Sequence, residues 1–221
     1  MITLKGQLQR SIEKLERRSL RYALAGGLAA SVYGEERLTK DIDFIIDGKD
    51  DLVEIAKEIL SELNLSVSVA RKADLDGGPL FAIKRQNTQQ MIVIGRDQER
   101  KDPGVDFLLP TNPWVPKALE RANDNQIDFG FRKIPTLTVE DVIICKLLSS
   151  HKPEREQDIL DLRSIFQAGH NDLDFAYIAA RMKKFGATLL KNLEGVAPSE
   201  IVEVSRRIAR EQKKHHRGAG E

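Results

Sequence analysis

Apolar residues recur at two different periods along the first third of the chain, and the switches between those periods mark out the elements. Leu8, Ile12 and Leu15 stand at i, i+4 and i+7 among charged neighbours, the stripe of a short amphipathic helix. Residues 22–25 (Tyr-Ala-Leu-Ala) read as a short buried strand ended by Gly26 and Gly27. Residues 28–33 are mostly helix formers, and Gly34 stops them. Residues 38–46 are the second expected strand, closed by the turn chemistry of Asp47-Gly48-Lys49-Asp50. From 51 to 63, Leu52, Val53, Ile55, Ala56, Ile59, Leu60 and Leu63 keep helical spacing. Four β-like runs follow at 65–70, 80–84, 91–94 and 105–109, some of them separated by Gly77-Gly78-Pro79 and Asp102-Pro103-Gly104.

The texture changes near Pro135. A short helix is expected over 114–121, and a hairpin or terminal strand over 127–134. Beyond it, Thr138 with Asp141 resembles a capping arrangement, and helical periodicity runs to about Arg210. The pattern predicts an α/β (α+β) fold: a mixed sheet with flanking helices over 1–135, then a helical region over 136–221 with a basic tail.

Composition changes this picture little. An apolar fraction of 41% and a charged fraction of 31% belong to an ordinary globular chain rather than a disordered one. The net charge of +1 gives no overall pull toward nucleic acid or membrane, but residues 206–217 are locally basic and could meet phosphates or an acidic partner. The single cysteine, Cys145, excludes an intrachain disulfide. No apolar run approaches the roughly 20 residues a bilayer demands, and no signal-peptide pattern opens the chain, so a cytoplasmic protein is expected.

Candidate chemistry begins with Asp41-Ile42-Asp43-Phe44. In a strand, residues two apart share a face, so Asp41 and Asp43 project together while Ile42 and Phe44 face a core. Two like charges so placed repel one another unless a cation or hydrogen bonds compensate them. Asp106, inside the apolar run 105–109, repeats the oddity. If its strand lies beside that of Asp41 and Asp43, three carboxylates converge. Without a nearby Cys or His they favour Mg²⁺ or Mn²⁺ over zinc. Gly26 and Gly27 let backbone N–H groups approach phosphate oxygens at a helix start. Arg37 and Lys40 flank the acids and could balance their charge or touch a nucleotide's phosphates. Lys146, set among Ile144, Leu147 and Leu148, needs a partner if buried, and Asp158 is the candidate with Asp161 behind it; the alternative is a lysine snorkelling from a helix edge. His151 and His170 fall in polar loops and read as surface residues.

The pair Gly26-Gly27, thirteen intervening residues and then Asp41-Ile42-Asp43-Phe44 resembles the signature of the polymerase-β-like nucleotidyltransferase superfamily. The segment from Gly26 through Arg37-Leu38-Thr39-Lys40 to Asp43 looks most like its small prokaryotic members, the abortive-infection (type IV toxin–antitoxin) and minimal nucleotidyltransferases. Residues 139–148 and 155–162 resemble that group's later motifs. The resemblance implies Asp41, Asp43 and Asp106 as metal ligands, Gly26 and Gly27 on the phosphates, and Lys146 and Asp158 completing the site. Gly27 stands where many relatives carry Ser, which leaves backbone donors alone at that point. The expected activity is metal-dependent transfer of a nucleoside monophosphate from a nucleoside triphosphate to a hydroxyl on RNA or tRNA, a protein or a small molecule. The alternative is a non-catalytic or partner-regulated component of a toxin–antitoxin pair, working beside a cognate toxin or antitoxin. A structural cation site is the third reading.

Overall fold

A computed structural model describes residues 2–49, 51–71, 91–99, 101–109, 114–149 and 156–217. The strand expected over 80–84 and His151 lie outside the described residues. The chain forms two compact units. One gathers the described residues up to Ala30 and from Arg37 to Thr138; the other gathers Ser31–Glu36 and the described residues from Val139 onward.

Among the described residues the first unit has a five-stranded sheet: β1 (Arg21–Ala25), β2 (Asp41–Asp47), β3 (Ser66–Arg71), β4 (Met91–Arg96) and β5 (Gly104–Leu108). Their order across the sheet is β1-β2-β5-β4-β3. Only β2 and β5 run parallel; every other neighbouring pair is antiparallel. Helix α1 (Leu4–Arg17) is longer than its apolar stripe alone predicted, because the Thr3 hydroxyl caps it by accepting from Gly6 N–H at 3.1 Å. Helix α2 (Gly26–Tyr33) starts directly at the end of β1, and α3 (Leu52–Glu62) is capped by the Asp51 carboxylate. Helix α4 (Val115–Asp124) and the hairpin β6 (Gln126–Asp128) and β7 (Lys133–Pro135) complete the unit.

Alternation along β2 decides which face becomes the core. Ile42, Phe44 and Ile46 are fully buried with Leu8, Ile12 and Leu15 of α1, Ile59 and Leu60 of α3, and Leu63 just after it. Phe44 stacks on Phe107 with ring centroids 6.0 Å apart, and the two residues are register partners. Asp41 and Asp43 are thereby forced to the other face. Strand β2 starts three residues later than its sequence suggested. The ladder with β5 opens only at Asp41, and Leu38 is fully exposed instead of packed.

The second unit is helical: α5 (Val139–Ser149), α6 (Glu156–Ala168), α7 (Phe175–Phe185) and α8 (Ser199–Arg217), with a short 3₁₀ turn at Lys191–Leu193. Ile143, Leu147, Leu162, Ile165, Ile178, Met182, Leu193 and Ile201 lie in its interior. The basic run belongs to α8, whose buried face is Ile201, Val204 and Ile208, while Arg206, Arg207, Arg210 and Lys213 face solvent. His170 departs from the surface expectation. It is half-buried, with Nε2 2.7 Å from the Tyr33 carbonyl and its ring edge-on to that of Tyr33. Thr138 Oγ1 accepts from Arg121, and the buried Asp141 carboxylate accepts from the Tyr177 hydroxyl at 2.6 Å.

Candidate active site

The parallel register of β2 and β5 brings the acids together. Asp43 stands opposite Asp106, and Asp41 stands opposite Gly104. Parallel neighbours share a face when they are register partners, so the three carboxylates rise from one side of two adjacent strands.

An arginine the sequence reading did not single out joins them. Arg96, the last residue of β4, forks onto Asp106: Nη1 bonds Oδ1, and Nη2 donates to Oδ2 at 3.0 Å. The same Nη2 lies 3.4 Å from Asp41 Oδ2. One guanidinium nitrogen therefore reaches both acids. Burial raises the Asp106 pKa, Arg96 opposes that rise, and the Asp41 charge adds to it; the net direction is up from the ordinary carboxylate value. The Arg96 pKa is raised in turn, chiefly by the hydrogen bond to Asp106.

Three glycines make these approaches sterically open. Gly26 has φ +60°, and a Cβ built on it would fall 1.9 Å from Asp43 Oδ2. No other residue fits there without moving Asp43. At Gly104 a Cβ would lie 2.5 Å from Asp41 Oδ1 and 2.8 Å from Arg96 Nη1. At Gly27 it would lie 2.8 Å from Arg37 Nη2 and 3.1 Å from Thr39 Oγ1. The Arg37 guanidinium thus takes the space a serine side chain would use at Gly27. The Lys40 side chain is exposed, and its carbonyl accepts from Gly104 N–H at 3.1 Å, fixing the start of the β2/β5 ladder.

By chemistry the donor set suits a hard divalent cation: oxygen ligands from three carboxylates, with neither sulfur nor imidazole. Among the described residues no three of His, Cys, Asp and Glu are already spaced as a metal cage. Arg96 places a positive charge against Asp106 and Asp41.

Lys146 and Asp158 lie in the helical unit, one on α5 and the other on α6. Lys146 Nζ is 2.5 Å from Asp158 Oδ1 and 2.8 Å from Asp161 Oδ2, and all three side chains are buried. This is a closed ion cluster rather than a snorkelling lysine. Burial pulls the Lys146 pKa down, but the two carboxylates outweigh it and the net direction is up. Asp158 Oδ2 is buried without a hydrogen-bond partner among the described residues. Burial and the nearby Asp141 push the Cys145 thiol well above its ordinary pKa, which favours the neutral thiol over the thiolate.

Sequence reasoning missed Arg96 and Gly104. Arg96 follows an apolar run and Gly104 sits in a turn-like cluster, so neither carries a local signal; only strand order gives them their roles.

A two-strand carboxylate site behind a glycine turn, on a mixed sheet followed by helices, is the arrangement of a nucleotidyltransferase. The chain belongs to the family described as nucleotidyl transferase AbiEii toxin, type IV toxin–antitoxin system, which matches residues 13–218. Among solved structures, an antigenic nucleotidyltransferase-like protein from Paracoccidioides brasiliensis is 13% identical, with a TM-score of 0.45 over 89% of this chain and 96% of its own. The lincosamide antibiotic adenylyltransferase LnuA, lincomycin-bound, is 18% identical, with a TM-score of 0.42 over 74% of this chain and 98% of its own. No curated protein shows a significant match.

Proposed function

We propose that the protein transfers a nucleoside monophosphate from a nucleoside triphosphate to a hydroxyl acceptor, with Asp41, Asp43 and Asp106 holding Mg²⁺ or Mn²⁺. The acceptor oxygen attacks the α-phosphorus, the bond to the β-phosphate oxygen breaks, pyrophosphate departs, and the hydroxyl proton passes to Asp106. The divalent ions, when bound, supply charge neutralisation on the triphosphate and activate the attacking oxygen. The chain's own residues supply position. Gly26 and Gly27 offer backbone N–H groups at the start of α2, and Arg37 offers a guanidinium fork for a phosphate oxygen. Lys40 adds a second cation beside the acids. Lys146 and Asp158 belong to the same reading through the family's later motifs.

The observation that supports this most is the pairing of Asp43 with Asp106 across β2 and β5, in a chain of a nucleotidyltransferase family. Among acceptors we favour RNA or tRNA over a protein or a small molecule, on the exposed Arg206, Arg207, Arg210 and Lys213 of α8. Family membership in type IV toxin–antitoxin systems favours a cognate antitoxin as partner and regulator. No described helix is long and apolar enough to cross a membrane, and a cytoplasmic location fits a consumer of nucleoside triphosphates.

The test is incubation with each labelled nucleoside triphosphate, Mg²⁺ or Mn²⁺, and RNA, protein or small-molecule acceptors. Wild-type protein transfers label in a metal-dependent way and Asp43→Ala does not. Transfer by Asp43→Ala at the wild-type rate overturns the assignment.

A further inference from the structure

The cation already inside the carboxylate site is Arg96. Its two terminal nitrogens take both oxygens of Asp106, and Nη2 also reaches Asp41. An ordinary surface pair would engage one carboxylate; this one spans two strands. Gly104 makes the span possible. It is the β5 residue opposite Asp41 on β2, and it lies between Asp41 and the Arg96 side chain, where any Cβ would press on both. The guanidinium crosses β5 through the gap that this missing side chain leaves.

We propose that Arg96 is a built-in counter-ion which holds Asp41 and Asp106 together when no metal is bound and must swing away for a divalent cation to enter, so that it sets the metal concentration at which the site switches on. This rests on the metal-binding reading of Asp41, Asp43 and Asp106 given above.

Three physical points carry it. A guanidinium and a divalent ion cannot both neutralise Asp106 at close range without repelling each other. Arg96 brings a single charge to the two carboxylates of Asp106 and Asp41, so a doubly charged ion has the electrostatic advantage there once its concentration is high enough. The Arg96 side chain is 42% exposed, so its departure from the acids returns it to water rather than stranding it in a core.

The experiment is Mn²⁺ binding to the full chain without nucleotide, read by the electron paramagnetic resonance signal of free Mn²⁺, for wild type, Arg96→Gln, Arg96→Lys and Asp43→Asn. Thermal melting in chelator and in saturating Mn²⁺ accompanies it. Arg96→Gln is expected to bind Mn²⁺ about tenfold tighter or more, since removing one adjacent positive charge favours the ion by at least a pKa-unit equivalent. It should melt below wild type in chelator, with the gap closing in Mn²⁺. Arg96→Lys keeps a charge but loses the fork, and should fall between; it decides the matter if Arg96→Gln does not fold.

Equal or weaker Mn²⁺ binding by the folded Arg96 variants, while wild type binds and Asp43→Asn does not, overturns the counter-ion role and leaves the metal reading standing. Absence of Mn²⁺ binding in wild type and in every variant overturns the metal reading, and this inference with it.

Discussion

Gly26 has no side chain because the Asp43 carboxylate occupies the place where one would be: a Cβ would sit 1.9 Å from Oδ2. The end of β1 and the early part of β2 are thus fitted to one another at the point where the glycine turn meets the acids. Gly26→Ala should therefore act through the site and not only through backbone strain. Gly130 is the control, with φ +75° and nothing within 4 Å of its built Cβ. Gly130→Ala is expected to cost about 1 kcal/mol, the strain of a left-handed alanine. Gly26→Ala should cost about 1–2 kcal/mol more, lower the melting temperature further and abolish transfer. Melting curves of the two variants, beside transfer assays, check this.

Arg37 occupies the volume beside Gly27 that a serine would claim. If Arg37 holds a phosphate oxygen as proposed, Arg37→Ala is expected to raise the KM for nucleoside triphosphate about tenfold or more, with a smaller change in kcat. Gly27→Ser, which writes in the residue common among relatives, should weaken nucleotide binding rather than improve it, because it displaces the guanidinium. Steady-state kinetics of both variants is the measurement.

Lys146 holds two buried carboxylates at once. Lys146→Met leaves both without their cation and is expected to destabilise the protein by about 3–5 kcal/mol. Asp161→Asn should cost distinctly less. It removes one charge from a cluster with two acids to one base, and the Gln157 amide that donates to Asp161 Oδ1 at 3.2 Å can turn to suit an amide. The raised Lys146 pKa gives the pH dependence. The pair's stabilisation is full below the unfolded lysine value of about 10.4 and is lost only as pH rises through the higher folded value. Denaturant melts from pH 7 to 11 should be flat for this contribution until the top of that range.

Glu62 links the end of α3 to Lys14 of α1, whose Nζ is 2.7 Å from Oε2, and to Arg18 just after α1. The Arg18 hydrogen bond first, then that of Lys14, holds its carboxyl down to about 2 from 4.5. A depressed folded pKa means that the stabilisation is present above about 4.5 and disappears as pH falls toward 2. Glu62→Gln should flatten that stretch of the stability curve. The site is solvent-exposed, so the difference is small and should shrink further in high salt. Melting temperatures from pH 2 to 6 at two ionic strengths measure it.

The chain's local pattern was enough to write most of the elements. The alternation of Asp41, Ile42, Asp43 and Phe44 dictates which side of β2 faces a core, because side chains in a strand alternate whatever surrounds them. The spacing of Leu52 to Leu63 dictates α3 for the same kind of reason, and the helical texture after residue 135 is equally local. The motif pair Gly26-Gly27 and Asp41-Ile42-Asp43 marks the nucleotidyltransferase class within a single strand–turn–helix–strand unit. Lys146 and Asp158 are legible too, since an ammonium among Ile144, Leu147 and Leu148 demands an acid.

Other features depend on which strands become neighbours, and adjacency is not written in any one segment. Asp106 meets Asp43 only because β5 lies between β2 and β4 and runs parallel to β2. The same insertion turns Gly104 from a turn residue into a passage, and brings Arg96 from the far end of β4 onto two acids. The start of β2 at Asp41 and the exposure of Leu38 likewise follow from where its partner strand begins. Sequence fixes what each residue can do over a few neighbours; the long-range pairing of strands decides which charges must share a space, and so where compensation by Arg96 or by a metal is required.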